Sequence, residues 1–369
     1  MDLQCRYKHA SLIRPNRFTL PAGTWRDFLT LVCGLLLLIP ASIGGQRQSY
    51  IPRLPDCPEC KEQWQVEQPV STPAVAYDDT GCDRLGWYPA EFGLKDHSVF
   101  LFNGIYYIVS IRTPDEKAFV YARSPDLCNW EDLGTVVDQR IRWEWDEAFV
   151  WAPFVLEEDG VFYMYYTGVR RNFTQSIMLA TSTNPADPDS WQRQGMIFQP
   201  SHEGMLWQAG SWADCRDATV VKIGDIYFMY YAGRDVGGPI IGWATSFAPA
   251  GPWYDWGATL TLSRSDEMAE SPTLVSRAGT FYLFYNNASK GEEYRIGQTQ
   301  IGPWSDSFTL PSGWANEMWV GQNGLEYTSF LKGYEIVIER CLWDDSYSPP
   351  RLHVRAGTYS LFFPFLLNP

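Results

Sequence analysis

The chain has 369 residues, of which 45% are hydrophobic and 16% aromatic, and it carries a formal net charge of −14. So acidic a balance excludes a nucleic-acid backbone as partner, because that contact calls for clustered Lys and Arg. Only four His occur, at positions 9, 97, 202 and 353, so any acid–base chemistry falls to carboxylates and no cofactor or metal site is expected. The 17 Trp, 21 Tyr and 20 Phe favour pleated, half-buried strands, and 30 Gly and 25 Pro leave little room for long helices.

In chain order, the first feature is the apolar run FLTLVCGLLLLI, Phe28 to Ile39, behind Arg14, Arg17 and Arg26. Small residues follow it, in Pro40-Ala41-Ser42-Ile43-Gly44-Gly45. A basic region, a short apolar stretch and a small-residue site describe a secretory signal. The run is shorter than the ~20 residues that span a bilayer comfortably. Residues 1–45 are read as a signal peptide, which makes the protein secreted or periplasmic. The long stretch before the run leaves open an uncleaved signal anchor, tying the chain to a membrane through 28–43, or a buried helix.

Residues 46–90, rich in Pro and charge, read as an N-terminal arm and linker. Beyond residue 45 lie Cys57, Cys60, Cys82, Cys128, Cys215 and Cys341, for which 15 pairings exist. Cys57 and Cys60 form a lone CxxC; with no second pair to complete a zinc site, a disulfide between them or with Cys82 is the expectation. Asn172-Phe173-Thr174 and Asn287-Ala288-Ser289 are glycosylation sequons.

From residue 91 a repeat begins. Asp96 to Phe102 meets the turn Asn103-Gly104, then Ile105 to Ser110. Ala152 to Leu156 meets Asp159-Gly160, then Val161 to Gly168. Asp217 to Val221 meets Gly224-Asp225, then Ile226 to Gly233. Ser271 to Val275 meets Ala278-Gly279, then Thr280 to Asn286. A fainter fifth copy runs Tyr327 to Leu331, Lys332-Gly333, Tyr334 to Ile338. Asn-Gly and Asp-Gly between apolar runs are hairpin signals, since their residues tolerate positive φ. Later markers in the first four units end in Trp130, Trp191, Trp253 and Trp304. Measured from Asp96, Pro153, Asp217, Glu270 and Glu326, the units recur after 57, 64, 53 and 56 residues, which suits four strands with generous loops. The fold class is therefore all-β, a five-bladed β-propeller over 91–357, with an apolar tail at 358–369. An all-β sandwich explains the hairpins but not the five-fold return.

In a propeller the first strand of each blade lines the central channel. Those strands open on Lys95-Asp96-His97, Trp151-Ala152-Pro153, Arg216-Asp217-Ala218 and Glu270-Ser271-Pro272. Asp96, Asp217 and Glu270 are thereby aimed into one funnel, where packing has no use for a carboxylate. Gathered like charges push pKa values apart, which gives an acid and a base at one pH. Glycoside hydrolysis needs that pair. Trp151, Arg216, Trp212 and His97 are the candidate substrate contacts. Trp143, Trp145 and Trp207 cluster with them in loops flanking the second and third units, either as sugar platforms or as plugs of the hairpins.

These motifs resemble the five-bladed glycosidases of family 43, the arabinanases, xylosidases and arabinofuranosidases, over roughly Glu91 to Gly357; families 32 and 68 share their fold. The resemblance implies Asp96 as general base, Glu270 in an EGP-like motif as general acid, and Asp217 as the residue that tunes the acid. It also matches the second-blade WAP motif as Trp151-Ala152-Pro153. Three departures stand out. Phe154 follows that motif where an acid is usual, with Asp146 or Glu147 as substitutes from the preceding segment. His97 stands where Pro is common. The family often has a blade-five His beside a calcium or sodium ion, and only Glu326 is found there. Arg216-Asp217 is also similar to the RDP motif of the fructosidases, whose first-blade motif Lys95-Asp96-His97 does not supply.

The expectation is an inverting hydrolase of arabinose- or xylose-containing oligo- or polysaccharides, with no stable protein partner implied. The rival readings are a non-catalytic carbohydrate-binding propeller, for which Phe154 speaks, and a retaining fructosidase or glycan phosphorylase on the same scaffold.

Overall fold

The computed structural model describes residues 84–138, 142–263 and 268–354. The signal or anchor at 1–45, the arm up to residue 83 and the tail at 358–369 lie outside the described residues, as do Cys57, Cys60 and Cys82.

The described chain is strand upon strand in five antiparallel sheets, with one short 3-10 turn, Pro188–Ser190, among the described residues. After β1 (Gly86–Trp87), the first blade holds β2 (Gly93–Phe102), β3 (Ile105–Thr113), β4 (Phe119–Ser124) and β5 (Glu131–Val136). The second holds β6 (Phe149–Glu158), β7 (Val161–Val169), β8 (Gln175–Ser182) and β9 (Gln192–Phe198). The third is β10 (Cys215–Ile223), β11 (Ile226–Asp235), β12 (Gly238–Ser246) and β13 (Tyr254–Thr261). The fourth is β14 (Ala269–Arg277), β15 (Thr280–Asn287), β16 (Gly291–Gly297) and β17 (Phe308–Thr309). The fifth contains β18 (Trp314–Val320), β19 (Glu326–Lys332), β20 (Glu335–Asp344) and β21 (Arg351–Val354). In each blade the strands pair in sequence order, and the opening strands β2, β6, β10, β14 and β18 touch one another in a closed ring. This is a five-bladed β-propeller.

The hairpins fall where the turn residues put them. Asn103-Gly104, Asp159-Gly160 and Ala278-Gly279 each take positive φ at both positions, the geometry that matches the twist of the flanking strands. The fifth blade corrects the reading of the repeat. Tyr327 to Ile338 is the second hairpin of that blade, β19 to β20, and its channel strand is β18, which opens Trp314-Ala315-Asn316-Glu317. Glu326 therefore lies at the far end of the channel strand, where it takes the Trp343 indole N–H at 2.7 Å and pairs with Arg277 at 3.2 Å.

The core lies between blades as apolar sheets of rings. Phe100, Tyr107, Tyr121, Phe162 and Trp191 join blades one and two, and Tyr165, Phe198, Tyr227 and Tyr231 join two and three. The Trp markers pack backwards onto the preceding blade: Trp191 meets Phe100 edge-on, and Trp253 meets Tyr165. Tyrosine hydroxyls reach forward. Tyr121 donates to the Pro185 carbonyl, Tyr165 to Pro249, Tyr230 to Gln300 and Tyr282 to Pro350, all at 2.7–2.8 Å. A buried phenol needs such a partner, and for these four the partner lies in the next blade.

The ring closes through chain segments distant in sequence. β1 pairs with β20, with Gly86 opposite Val337 and Trp87 opposite Ile336. A Cβ on Gly86, at φ +134°, would lie 2.2 Å from the Ile336 carbonyl oxygen, so only glycine admits this approach. Cys128 is disulfide-bonded, whereas Cys215 and Cys341 are free and buried.

Candidate active site

Every channel strand carries a bulge at the same place. Its register slips between Lys95 and His97, Trp151 and Phe154, Arg216 and Thr219, Glu270 and Thr273, and Trp314 and Glu317. The bulged residues Ala152, Asp217, Ser271 and Ala315 have φ of 43°, 58°, 50° and 55°. A bulge bends its strand and re-aims a side chain, and at these positions the side chains turn onto the axis. Asp217 is therefore equivalent to Ser271, and Glu270 to Arg216; the two acids sit one residue apart in their blades rather than at matching positions.

Asp96 and His97, Ala152 and Phe154, Asp217 and Thr219, Ser271 and Thr273, and Asn316 and Glu317 line one pocket on the axis. Glu270 stands at its rim with a quarter of its side chain exposed. The Arg216 guanidinium holds Oε1 of Glu270 through Nη2 at 2.9 Å and Nε at 3.1 Å. Its Nη1 donates to Asp214 at 2.7 Å, and its Nε lies 3.8 Å from Asp217. Asp217 is fixed from both neighbours: its N–H donates to Thr167 of blade two, and its Oδ2 accepts the Ser271 N–H of blade four, each at 3.0 Å.

Burial and the Glu270 charge raise the Asp96 carboxyl to about 6, against the pull of Lys95. Asp217 is raised too, by burial first, with Arg216 opposing and Glu270 and Asp96 adding to the rise. Asp96 and Asp217 are thus both held above the usual carboxylate range, beside the Glu270 charge. A carboxyl held high in this way keeps its proton closer to neutral pH than an exposed one does.

The other expected contacts separate. Trp151 is half-buried beside the pocket, and its indole N–H donates to Glu116 at 2.7 Å; Glu116 also pairs with Lys95. Trp212 is 62% exposed. His97 is buried and turned toward blade five, its Nε2 2.7 Å from the Ser329 hydroxyl. Burial drives its pKa down to about 3, so it is a neutral ring in the channel wall. Trp145 and Trp207 pack on one another at 6.2 Å and are part of the inter-blade cores, whereas Trp143 is 68% exposed. His202 binds Asp255 at 2.9 Å, and Asp255 also takes the Tyr231 hydroxyl. This locks the loop before blade three.

Neither substitute for the missing acid after the WAP motif reaches the pocket. Asp146 is fully buried within blade two between Arg193 and the Tyr166 hydroxyl. Glu147 faces Arg170 and Arg171. Phe154 packs against the core of blades two and three.

Glu317 and Asp214 escaped the sequence reading. Glu317 accepts the Val99 N–H at 3.0 Å, and burial lifts its carboxyl to about 8. Its signal was the echo of Trp151-Ala152-Pro153 in Trp314-Ala315-Asn316. The blade-five ion implied by the resemblance does not fit these residues. Asn316 spends its amide on Ser312, Gly313 and Thr328, Glu317 is tied to blade one, and no cluster of three metal-binding side chains occurs among the described residues. The sequons also differ: Asn172 is exposed, whereas Asn287 is buried against Glu293.

A family model described as "Glycosyl hydrolases family 43" matches residues 91–324. The chain is 33% identical over 112 residues to a probable arabinan endo-1,5-alpha-L-arabinosidase B of Aspergillus oryzae, covering 30% of each chain. It is 28% identical over 161 residues to a probable arabinan endo-1,5-alpha-L-arabinosidase C of Aspergillus flavus, covering 40% of this chain and 47% of that one. It thus spans under half the length of these curated relatives. A crystal structure of a thermostable family-43 glycoside hydrolase superposes with a TM-score of 0.57 at 20% identity, over 76% of this chain and 98% of the other.

Proposed function

The chain belongs to glycosyl hydrolase family 43, and from that premise we propose that it is an exported hydrolase of arabinose- or xylose-type O-glycosidic bonds. Asp96, ionised, takes a proton from the water that attacks the anomeric carbon. Glu270 gives a proton to the leaving oxygen, and the bond breaks with inversion. Because Arg216 occupies Oε1 of Glu270, the proton is delivered from Oε2. Asp217, between the two in charge and place, sets the proton balance and faces the sugar. Trp151, next to Ala152 of the pocket wall, offers a ring for stacking.

One observation carries this reading: carboxyls from three blades gather at the end of one channel, Asp96 raised by burial and the Glu270 charge, and Asp217 by burial and the charges of Glu270 and Asp96. The likeness to probable arabinan endo-1,5-alpha-L-arabinosidases supports a substrate of the arabinose type. One feature favours a second reading, a propeller that binds sugar without cleaving it. The apolar ring of Phe154 stands in the pocket wall where the family resemblance implies an acid.

The full-length protein is to be incubated with linear arabinan, arabinoxylan and aryl pentosides, and the first-formed anomer read by NMR. Hydrolysis with inverted product, lowered ~10²–10⁴-fold by Asp96→Asn or Glu270→Gln, supports the enzyme. Binding without turnover across the panel selects the second reading. Fractionation of the producing cells tests export through residues 1–45.

A further inference from the structure

We propose that Trp212 anchors a second sugar-binding position, outside the carboxylate pocket, that holds further units of a polymeric substrate. The proposal rests on the glycosidase reading above and adds the length of substrate that the site selects.

Trp212 is 62% exposed, and a large apolar ring left in water is costly unless something covers it. It is nonetheless held on three sides. Its face lies on Phe173 at 5.0 Å and 23°, Phe173 lies on Phe149 at 6.0 Å and 22°, and Phe149 lies on Trp151 at 6.1 Å and 18°. This column of stacked rings runs from the solvent to the channel strand of blade two, one residue before its bulge. The indole N–H of Trp212 donates to Asp214 Oδ1 at 3.1 Å, and the same oxygen accepts Arg216 Nη1 at 2.7 Å. Arg216 in turn holds Glu270. The backbone is pinned as well: Ala213 donates to the Phe173 carbonyl, Gln175 to that of Ala213, and the Thr174 hydroxyl to that of Ser211.

Topology puts all of this at the catalytic end. The β7–β8 turn carries Phe173, and the connection from β9 to the start of β10 carries Trp212; both lie where the channel strands begin. The outer face of Trp212 is thus a flat, apolar, immobilised surface whose polar edge is already satisfied. Exposed Arg171, Asn172 and Ser211 are the chain neighbours of Phe173 and Trp212.

A sugar ring presents a C–H face to such a surface and its hydroxyls to the polar rim. Holding the indole still in advance removes the ordering cost of binding. A protein partner needs a contact of roughly 1,000 Å² or more, and a single ring with a polar surround does not offer it. Continuity with the pocket through both the ring column and the Asp214–Arg216 link assigns this surface to the same substrate chain.

Trp212→Ala and Trp212→Phe in the full-length protein test the proposal, with KM and kcat measured on linear arabinan and on an aryl arabinofuranoside. For Trp212→Ala, kcat/KM on the polymer is expected to fall about tenfold more than on the aryl glycoside, through KM. Trp212→Phe is expected to recover most of that loss. Equal losses on both substrates, or no loss on the polymer, overturn the proposal. Should the wild type cleave nothing, the glycosidase reading fails separately, and electrophoretic retardation in arabinan or arabinoxylan gels decides. Retardation lost in Trp212→Ala sustains the proposal; unchanged retardation, or none in the wild type, overturns it.

Discussion

Burial first, and then the charge of Glu270, raise the Asp96 carboxyl, which makes the acid limb of the rate profile a test of their proximity. When charged, Glu270 helps to raise Asp96 to about 6, so kcat/KM should fall as pH drops through that value and the base takes up a proton. Replacing Glu270 by Gln removes the charge, and Asp96 then ionises at lower pH. With an aryl arabinofuranoside, whose leaving group needs little acid assistance, Glu270→Gln should retain measurable turnover. Its kcat/KM profile should show the acid limb displaced downward. Arg216 invites a second test. Its fork grips one oxygen of Glu270 while its third nitrogen binds Asp214, a geometry that a Lys ammonium does not reproduce. Arg216→Lys should lower kcat on polymer ~10–100-fold, the cost of losing a charge-assisted pair of hydrogen bonds. Asp96, Asp217 and Glu270 were readable from sequence because an acid opening an apolar strand has no packing purpose. Asp214 and Glu317 were not, since what they do depends on neighbours 2 to 218 residues away.

At the scale of the strand, the bulge is the device that turns an ordinary blade into a site. It requires a left-handed residue in four of the five channel strands, a conformation that costs a residue with a Cβ ~1–2 kcal/mol. Asp tolerates it better than most, which suits Asp217, and the other bulges use Ala or Ser. Ala315→Val adds β-branching at φ 55° and should lower the unfolding free energy by ~2 kcal/mol or more in urea titrations. Ala315→Gly should change it by less than ~1 kcal/mol, relieved strain offsetting the greater entropy of the unfolded chain. The hairpins of the first four blades were legible because a glycine-containing turn pair separates two apolar runs. The fifth blade was misread by one strand: the connection from β18 to β19 holds Asn323-Gly324, but within a five-residue loop, Gly321 to Leu325, and the turn at Lys332-Gly333 imitates the repeat one hairpin later. The bulges themselves left no mark in the alternation, because an inserted residue is visible only against the strand it is paired with.

At the scale of the molecule, five blades form a ring only if each inner strand is tied to the next. The ties are small polar groups. The Val155 N–H donates to the Ser98 hydroxyl at 3.0 Å, Thr219 donates to the Pro272 carbonyl and Thr273 to that of Asn316. Between blades five and one the tie is Glu317, which accepts the Val99 N–H and the hydrogen bond of Ser98. This junction joins segments 218 residues apart, so it forms only when the whole chain has folded, and it places a carboxyl in a site with no basic partner. Burial raises that carboxyl from 4.5 to about 8. The folded state therefore binds more protons than the unfolded state between those values, and stability must fall as pH rises through the interval. The loss attributable to Glu317 is on the order of a few kcal/mol, fully absent below ~4 and fully developed above ~8. Asp96 and Asp217 are raised in the same direction, so the wild-type slope alone does not isolate the junction; the difference from Glu317→Gln does. A glutamine keeps a carbonyl oxygen for the Val99 N–H and carries no charge at any pH. Melting curves collected from pH 5 to 9 should show the two proteins closely matched at the acid end, and Glu317→Gln melting progressively higher as pH rises. Parallel curves across that range would mean that the Glu317 carboxyl is not held in an apolar junction, and the closure of the ring would then need another tie.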